Sequence, residues 1–325
     1  MHGRGIHRLT PEEVATLTPL VEAAAEAGDL AGGSESRVEA FVRYLAWESN
    51  PVAVAWEDGQ PVGFVSPEFK VLVVAPPNRR QGHGARLVEA GLAIERERQR
   101  ANLLLGPPPG SEGALAFLRA TGFDYHSTVW ALALPPDRVV TPPSWPASVV
   151  ARQFDRTRDI AAWVVLFGQA FAEHPTPMLL DEATVAQSNE DPAVDDADLL
   201  LLEDPAEGGA VVGFCSTDPH RENGKAGTTG EIWTIGVRPD RQGHGLGRQL
   251  LRWGTHRLRG LGVVDVTLAV NARNEHALRL YEEEGFVRSG ARERWARPVA
   301  PQVPHPGSAP PARRPARGLV GGTER

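Results

Sequence analysis

Two glycine-rich loops, one in each half of the chain, constrain the fold of this sequence more than any other feature. Residues 76–88 are PPNRRQGHGARLV and residues 239–251 are PDRQGHGLGRQLL. Gly82 in the first loop and Gly245 in the second are 163 positions apart. A second motif keeps this offset, as Gly122-Phe123 and Gly285-Phe286. Two motifs at one offset predict a duplicated domain, because solenoid repeats have much shorter periods.

Two proline-rich stretches divide the chain. Residues 135–147 hold five prolines, which predicts an extended linker. Residues 298–325 hold seven prolines and little apolar content, which predicts a disordered tail. The predicted domains are therefore residues 1–134 and 148–297. A length of 325 residues agrees with two domains, since a domain has roughly 150 residues.

Composition limits the partners and the location. A formal net charge of −7 and a pI of about 5.8 argue against an extended basic face for nucleic acid. The sequence has no apolar run of about 18 residues for a membrane helix, and its first residues lack the apolar core of a secretion signal. Cys215 is the one cysteine, so no internal disulfide can form. No His/Cys/Asp spacing predicts a metal site. We expect a cytoplasmic protein, a monomer or homodimer, with a small-molecule partner and no nucleic acid or membrane.

The hydrophobic periodicity predicts an α/β fold with a mixed, largely antiparallel sheet. In the second unit we expect strands at 148–153, 198–203, 209–216, 230–237, 263–270 and 286–296. Helices are expected at 158–172, at 245–260 and from Asn274, a good N-cap, to Gly285, a good C′ residue. The first unit follows the same order with shorter elements, including a hairpin at 52–66.

The glycine loops have the features of an anion site. Each follows a strand and opens a helix, so backbone N–H groups and the helix dipole favour a negative charge there. The spacing is not that of a phosphate loop, because no Lys-Ser/Thr pair follows. It is not the dinucleotide fingerprint either, because no acidic ribose ligand follows about 20 residues later within a βαβ unit.

The loops share the form V-x-P-x-x-[QR]-x-x-G-x-G, which resembles motif A of the GNAT acetyltransferases. Residues 271–286 have the form N-x-x-N-x-x-A-x-x-L-Y-x-x-x-G-F, which resembles the second GNAT block. The resemblance covers most of both units. It implies two tandem GNAT domains, each a mixed, mostly antiparallel sheet flanked by helices. It also implies that acetyl-CoA is the cofactor and that the loop holds its pyrophosphate.

This resemblance assigns the cofactor-binding residues. In the second unit they are Ile235, Gly236, Val237, Gln242, Gly243, His244, Gly245, Leu246, Gly247, Arg248 and Asn274. In the first unit they are Val74, Arg79, Arg80, Gln81, Gly82, His83 and Gly84. The two histidines occupy variable positions of the loops, so we expect them to be exposed to solvent rather than catalytic.

The resemblance also implies a catalytic set in the second unit. Tyr281 matches the family's general acid near the thioester sulfur, and Glu231 matches a carboxylate that takes the amine proton. A backbone N–H between Ile235 and Val237 would stabilise the thioester oxygen. The alternatives are that Tyr281 is a buried helix tyrosine and that Glu231 is an exposed carboxylate at a strand end. Cys215 is expected to be a small core residue rather than a nucleophile.

The two units are not equivalent in this respect. At the common offset Tyr281 corresponds to Leu118, which cannot donate a proton, whereas Glu231 corresponds to Glu68. We therefore expect the second unit to be catalytic. The first unit is expected to be structural, with the options that it still holds acetyl-CoA or walls the acceptor pocket.

Within the GNAT family, the chain resembles the mycothiol synthases, which acetylate the cysteinyl amine of desacetylmycothiol. The similar stretches are QAFAEHP at 169–175 and the segment from 213 to 237. Glu35 falls where that family has a substrate-contacting glutamate. Asp218 replaces a substrate-contacting lysine of the family, and this acid would also suit a cationic acceptor.

Several functions therefore remain open at this stage. A small-molecule acceptor such as desacetylmycothiol is the main prediction. An aminoglycoside, a polyamine or a protein amine are the other acceptors. A non-catalytic acyl-CoA binding module is the alternative from another class, and the presence of both Tyr281 and Glu231 argues against it.

Overall fold

The computed structural model describes residues 5–30, 35–45, 47, 50–174, 180–188, 194–221 and 224–299, and of residues 35–37, 39 and 40 only the backbone. The helices of this part are α1 Thr18–Glu26, α2 Glu35–Leu45, α3 His83–Glu97, α4 Glu112–Ala120, α5 Ile160–Ala170, α6 Glu182–Ser188, α7 Leu246–Gly260 and α8 Glu275–Glu283. Its strands are β1 Gly5–Arg8, β2 Ala53–Glu57, β3 Gln60–Ser66, β4 Val71–Val74, β5 Asn102–Leu105, β6 Asp124–Leu134, β7 Val150–Gln153, β8 Leu199–Asp204, β9 Ala210–Asp218, β10 Thr229–Val237, β11 Asp265–Asn271 and β12 Val287–Pro298.

The described strands form two hydrogen-bonded sheets. One has four strands in the order β1-β2-β3-β4, and the other has eight in the order β5-β12-β6-β11-β10-β9-β8-β7. Neighbours are antiparallel throughout except for β10 and β11, which are parallel. The predicted fold class, α/β with a mixed and mostly antiparallel sheet, is confirmed.

The eight-stranded sheet is built from both halves of the chain. Strand β12, the last of the second half, lies between β5 and β6 of the first half. It pairs with β5 at Trp295 opposite Leu105 and with β6 at Val287 opposite Ala133. Strand β6 in turn lies between β11 and β12. Each half therefore supplies a strand to the other, which a division of the sequence into consecutive domains did not foresee.

The sheet of the second half has two different faces. On one face, which we call the α7 face, Cys215 and Ile232 contact α7 so closely that a Cβ on Gly254 would lie 2.9 Å from the Cys215 sulfur. On the other, the α5 face, Phe214 packs against Phe167 with ring centroids 5.8 Å apart. Cys215 is fully buried, as expected for a small core residue. The candidate site residues are divided between these two faces.

Most predicted elements of the second half are present with small shifts at their ends. The helix predicted at 245–260 is α7, and the strand predicted at 209–216 is β9, which continues to Asp218. Asn274 caps α8, since its side chain accepts a hydrogen bond from Ala277 N at 3.1 Å. Gly285 follows α8 with φ +100°. The boundaries at 134 and 148 remain a prediction.

The linker region packs against the second half. Residues 135–149 contain no helix or strand. His256 Nε2 of α7 is 3.2 Å from the Val140 carbonyl, and Ser144 N donates to Gln249 Oε1 at 2.7 Å. These contacts hold the extended segment along α7.

Among the described residues, no helix has the length and apolar character needed to cross a membrane. The same residues contain no group of three or more His, Cys, Asp or Glu side chains that could hold a metal ion.

Candidate active site

Strands β10 and β11 separate part-way along their length. Their parallel pairing ends at Ile232 opposite Leu268, although β10 continues to Val237. The register between β10 and β9 shifts by one residue at Trp233, which marks a β-bulge. Bulges bend a strand and increase its twist, so this bulge accounts for the separation. A gap therefore opens between two neighbouring strands of the sheet.

Backbone donors of β10 face this gap. Arg238 N donates to Val212 O of the adjacent strand β9 at 2.9 Å. Because hydrogen bonding alternates along an antiparallel strand, the N–H groups of residues 234 and 236 point toward β9. Those of Ile235 and Val237 then point the other way, toward the gap. These are the residues for which the sequence predicted an oxyanion donor.

The second glycine loop lies directly beyond β10. Gly243 and Gly245 both have φ +79°, a left-handed conformation that favours glycine. Gln242 Nε2 donates to Val237 O at 3.0 Å and so fixes the loop to the end of the strand. Gly245 has no side chain to cap α7, which leaves the first N–H groups of that helix available to an anion. The loop fits a pyrophosphate group.

Tyr281 lies on α8 and packs against the core on the α7 face. It is partly buried, and its ring centroid is 6.4 Å from that of Phe286. Burial, and to a smaller extent the nearby Cys215 thiol, raise the pKa of the Tyr281 phenol above its usual range. Since Cys215 is the β9 partner of Ile235, Tyr281 lies near the gap. The phenol is therefore protonated at neutral pH and able to donate.

Glu231 and Asp218 lie on the α5 face. They are direct partners across β10 and β9, so their side chains are neighbours on one face of the sheet. Asp218 Oδ1 accepts a hydrogen bond from His220 N at 2.7 Å, and half of the Asp218 side chain is exposed. Glu231 is partly buried rather than fully exposed. The structure thus places two carboxylates beside the gap, opposite to the face that holds Tyr281.

Other predicted cofactor residues of the second half have mixed surroundings. Leu246 is buried in the core, so only its backbone can face a ligand. Arg248 Nη1 donates to Glu284 at 2.6 Å, and a Cβ added to Gly247 would lie 3.7 Å from Leu280. His244 is exposed, as expected. Asn274 acts as a helix cap, and its contact with a cofactor remains a prediction.

The first glycine loop has the same backbone conformation as the second, but the letters that the two loops share lie at different positions in it. Arg79 Nε donates to Val74 O at 3.0 Å, as Gln242 does to Val237 in the second loop. Arg80, with φ +63°, takes the left-handed position of Gly243. The shared letters RQGHG, at 80–84 and 241–245, are therefore two residues out of register with the structural equivalence.

The expectation that His83 is exposed is wrong. His83 is 2% exposed and is the first residue of α3, the position that Leu246 holds in α7. That position points into the core in both helices, because it lies on the face that packs on the sheet. His83 Nε2 lies 3.5 Å from the Glu57 carboxylate.

In the first half, a leucine occupies the position equivalent to Tyr281. Leu118, the counterpart of Tyr281, is 4% exposed and packs in the core. Glu68 accepts a hydrogen bond from Arg98 at 3.0 Å. Phe117 lies close to Gly84, since a Cβ there would be 3.0 Å from the ring. Gln81 and Gly82 remain exposed in the loop.

The predicted contact of Glu35 with the acceptor cannot be located in the structure. Glu35 opens α2, but its side chain lies outside the described residues.

Two residues of the site were missed from the sequence. Trp233, the bulged residue, is 56% exposed at the gap. Thr234 is 6% exposed, and its hydroxyl has no hydrogen-bond partner in the part of the chain that the structure describes. A single threonine inside an apolar strand gives no signal in a sequence, because the bulge that positions it depends on the neighbouring strands.

Relatives identify the family of this site. A mycothiol acetyltransferase of Streptomyces coelicolor is 32% identical over 288 residues, which cover 86% of this chain and 90% of the relative. One of Thermobispora bispora is 31% identical over 86% of this chain and 95% of its own length. The model of the acetyltransferase (GNAT) family matches residues 163–286, which include the gap, the second loop and Tyr281. The chain belongs to the GNAT acetyltransferase family.

Solved GNAT structures share the fold over nearly the whole chain. A tandem GNAT protein from the clavulanic acid biosynthesis pathway superposes with a TM-score of 0.64 at 20% identity and covers 91% of this chain and 99% of its own. A GNAT acetyltransferase from Sphaerobacter thermophilus gives a TM-score of 0.61 at 22% identity over 91% of this chain and 96% of its own. The chain is an N-acetyltransferase, and GNAT acetyltransferases take the acetyl group from acetyl-CoA as a general rule.

Proposed function

We propose that the chain transfers an acetyl group from acetyl-CoA to a primary amine of a small molecule, the cysteinyl amine of desacetylmycothiol. The gap between β10 and β11 carries this proposal, because a carboxylate lies on one face of it, a phenol on the other and a glycine loop at its end. Relatives named mycothiol acetyltransferase, which align over 86% of the chain, support the choice of acceptor.

The second half has the residues to hold acetyl-CoA. The N–H groups of the second glycine loop and of the first turn of α7 would bind the pyrophosphate. Gln242 keeps this loop in place through its hydrogen bond to Val237. When bound, acetyl-CoA supplies an acetyl thioester, an acyl group already activated for attack by an amine.

The group that accepts a proton and the group that donates one lie on opposite faces of the sheet. The Glu231 carboxylate on the α5 face accepts a proton from the ammonium of the acceptor. The N–H groups of Ile235 and Val237 donate toward the carbonyl oxygen that gains negative charge, an effect worth about 3 kcal/mol per donor. The Tyr281 hydroxyl on the α7 face holds the proton for the departing thiolate. Because acceptance and donation occur on different faces, neither group competes for the other's proton.

The first half has a structural role in this proposal. Leu118 replaces the acid, and Glu68 is engaged by Arg98. What the first half contributes is strand β6, which lies directly beside β11. Titration measures how many acetyl-CoA molecules bind per chain, and a value of two would mean that the first glycine loop also binds one.

Asp218 favours a second candidate acceptor. Two carboxylates in neighbouring positions attract a polycation more strongly than an acceptor with one ammonium group. A polyamine or an aminoglycoside would provide the second positive charge. A protein amine has no comparable support in the structure.

Titration followed by turnover tests the proposal. The purified protein is titrated with acetyl-CoA by calorimetry, and loss of the thioester absorbance is then followed with desacetylmycothiol, spermidine and an aminoglycoside. Turnover of desacetylmycothiol with the highest kcat/KM supports the proposed acceptor. Preference for spermidine or the aminoglycoside supports the second candidate, whereas binding without any turnover contradicts a catalytic role.

A further inference from the structure

The hydroxyl of Thr234 is buried, and no described residue is its hydrogen-bond partner. Thr234 is 6% exposed, and among the described residues none forms a hydrogen bond with its Oγ1. Buried hydroxyls are nearly always paired, because an unpaired one loses its hydrogen bonds to water without replacement. An unpaired hydroxyl in a binding site therefore suggests that its partner is a ligand.

The strand register places Thr234 on the acceptor face. Thr234 is the partner of Ser216, and Glu231 is the partner of Asp218, two residues further along β9. Residues 216 and 218 lie on the same face of the sheet, so Thr234 and Glu231 do too. The bulge at Trp233 makes this possible, since without it residues three apart would point to opposite faces. Thr234 thus lies roughly 7 Å along the sheet from Glu231.

The α5 face at Thr234 is otherwise closed by apolar groups. Gly236, the next residue on this face, is so close to Phe214 that a Cβ would lie 2.2 Å from the ring, and 3.0 Å from Ala170 of α5. Beyond Ile232, β11 no longer covers the other side of β10. A polar group of a ligand would therefore approach Thr234 from the gap, on the side of Glu231.

The charged groups around the α5 face favour a ligand with a positive charge. Glu231 and Asp218 face each other, so this part of the α5 face is acidic and attracts a cation. His220 Nε2 is 4.0 Å from Asp218, and Arg221 is paired with Asp198. An ammonium group is therefore favoured beside Glu231. The Thr234 hydroxyl can then donate to, or accept from, a second polar group on the same ligand.

We propose that Thr234 is a specificity-determining residue, which hydrogen-bonds a polar group two or three bonds from the reacting nitrogen of the acceptor. The ligand class is an α-amino amide or a vicinal amino alcohol rather than a simple alkylamine. This inference rests on the proposed function and narrows it. A cysteinyl amine, whose carbonyl is adjacent to the amine carbon, belongs to this class, whereas spermidine does not.

A matched pair of amines tests the inference. S-methyl-L-cysteinamide and 2-(methylthio)ethylamine differ by one carboxamide, the group that Thr234 is proposed to bind. Thr234→Val keeps the shape and removes the hydroxyl. We expect it to lower the ratio of kcat/KM for the amide to kcat/KM for the alkylamine about 10-fold, the equivalent of one net hydrogen bond. Thr234→Ser should keep the wild-type ratio of the two amines.

Stability provides a second readout. Because the unpaired hydroxyl destabilises the free enzyme, Thr234→Val should raise Tm by about 2 °C. Thr217→Val is the control, since the Thr217 hydroxyl lies on the α7 face and donates to Asp198 O at 3.1 Å. It should lower Tm and leave the ratio of the two amines unchanged.

The outcomes separate this inference from the proposed function. If wild type acetylates amines but Thr234→Val keeps the same amide-to-alkylamine ratio, the inference is overturned and the proposed function stands. If wild type acetylates no amine, the proposed function fails. Binding is then measured as the rise in Tm on adding each amine. A larger rise with the amide in wild type than in Thr234→Val supports the inference, and equal rises overturn it.

Discussion

Tyr281 and Leu118 hold equivalent positions on α8 and α4, and only the tyrosine can donate a proton. Tyr281→Phe keeps the ring packing and removes the donor. We expect kcat to fall about 100-fold, the usual contribution of a general acid, with little change in the affinity for acetyl-CoA. Tyr125→Phe, at an exposed tyrosine, is the control. Steady-state kinetics checks both, and an unchanged kcat for Tyr281→Phe would exclude the tyrosine as the acid.

The raised pKa of Tyr281 adds a pH dependence to the same experiment. Since burial favours the neutral phenol, Tyr281 stays protonated up to and beyond its ordinary pKa of about 10. Titration of Tyr281 should therefore not lower kcat at any pH below about 10. Any alkaline decline of the wild-type kcat in that range should also be present in Tyr281→Phe.

Asp159 is a second residue whose charge state has a measurable effect, in this case on stability. It is 4% exposed and accepts hydrogen bonds from Arg152 at 2.5 and 2.9 Å. Burial acts to raise the pKa of Asp159, but the bonds from Arg152 and from Asp155 N outweigh it, so the pKa is lowered. The pair therefore stabilises the fold above the unfolded-state pKa of about 3.9, and this contribution is lost as the pH falls below it.

Asp159→Asn should lower the free energy of unfolding by about 2 kcal/mol at pH 7, because Arg152 keeps its ion pair with Glu203 but loses its charged hydrogen bonds to Asp159. The difference from wild type should narrow as the pH falls below about 4. Urea unfolding at several pH values measures this. Asp240→Asn, at an exposed ion pair with Arg238, should have little effect. An equal loss from both variants would contradict the assignment.

At the scale of elements, the two glycine loops offer a matched comparison. Gly245 and Gly82 precede α7 and α3 with φ +79° and +86°, and an added Cβ at either meets no atom within 4 Å. Alanine should therefore destabilise both loops equally, by about 1 to 2 kcal/mol of backbone strain. Because only the second half has the acid, kcat/KM for acetyl-CoA should fall about 10-fold with Gly245→Ala and not with Gly82→Ala. Equal losses in kcat/KM would contradict catalysis by the second half.

The bulge in β10 shows how one element determines a site. It separates β10 from β11, turns two N–H groups toward the gap and brings Thr234 onto the face of Glu231. The sequence predicted β10 nearly to its ends and placed Glu231 near its start. It did not predict the bulge, because a bulge is a property of the register between two strands rather than of one strand.

At the scale of the whole molecule, the exchange of β6 and β12 joins the halves. A fragment of residues 1–147 lacks the strand between β5 and β6, and a fragment of residues 148–299 lacks the strand between β11 and β12. We expect each fragment to be insoluble when expressed alone, because its sheet is left with unpaired edges. Expressed together, they should copurify and recover acetyl transfer. Size-exclusion chromatography measures this, and two separately folded fragments would contradict the role of the exchange.

The sequence alone determined the features that depend on residues close together in the chain. The glycines at the helix starts, the cap at Asn274 and the periodicity of α7 depend on neighbours within a few residues, so the loops, the helices and the GNAT fold could be predicted. The tertiary structure alone decided which strands lie side by side, the burial of His83, the bulge at Trp233 and the unpaired hydroxyl of Thr234. These features depend on contacts between segments far apart in the chain, where packing and strand register outweigh local preference.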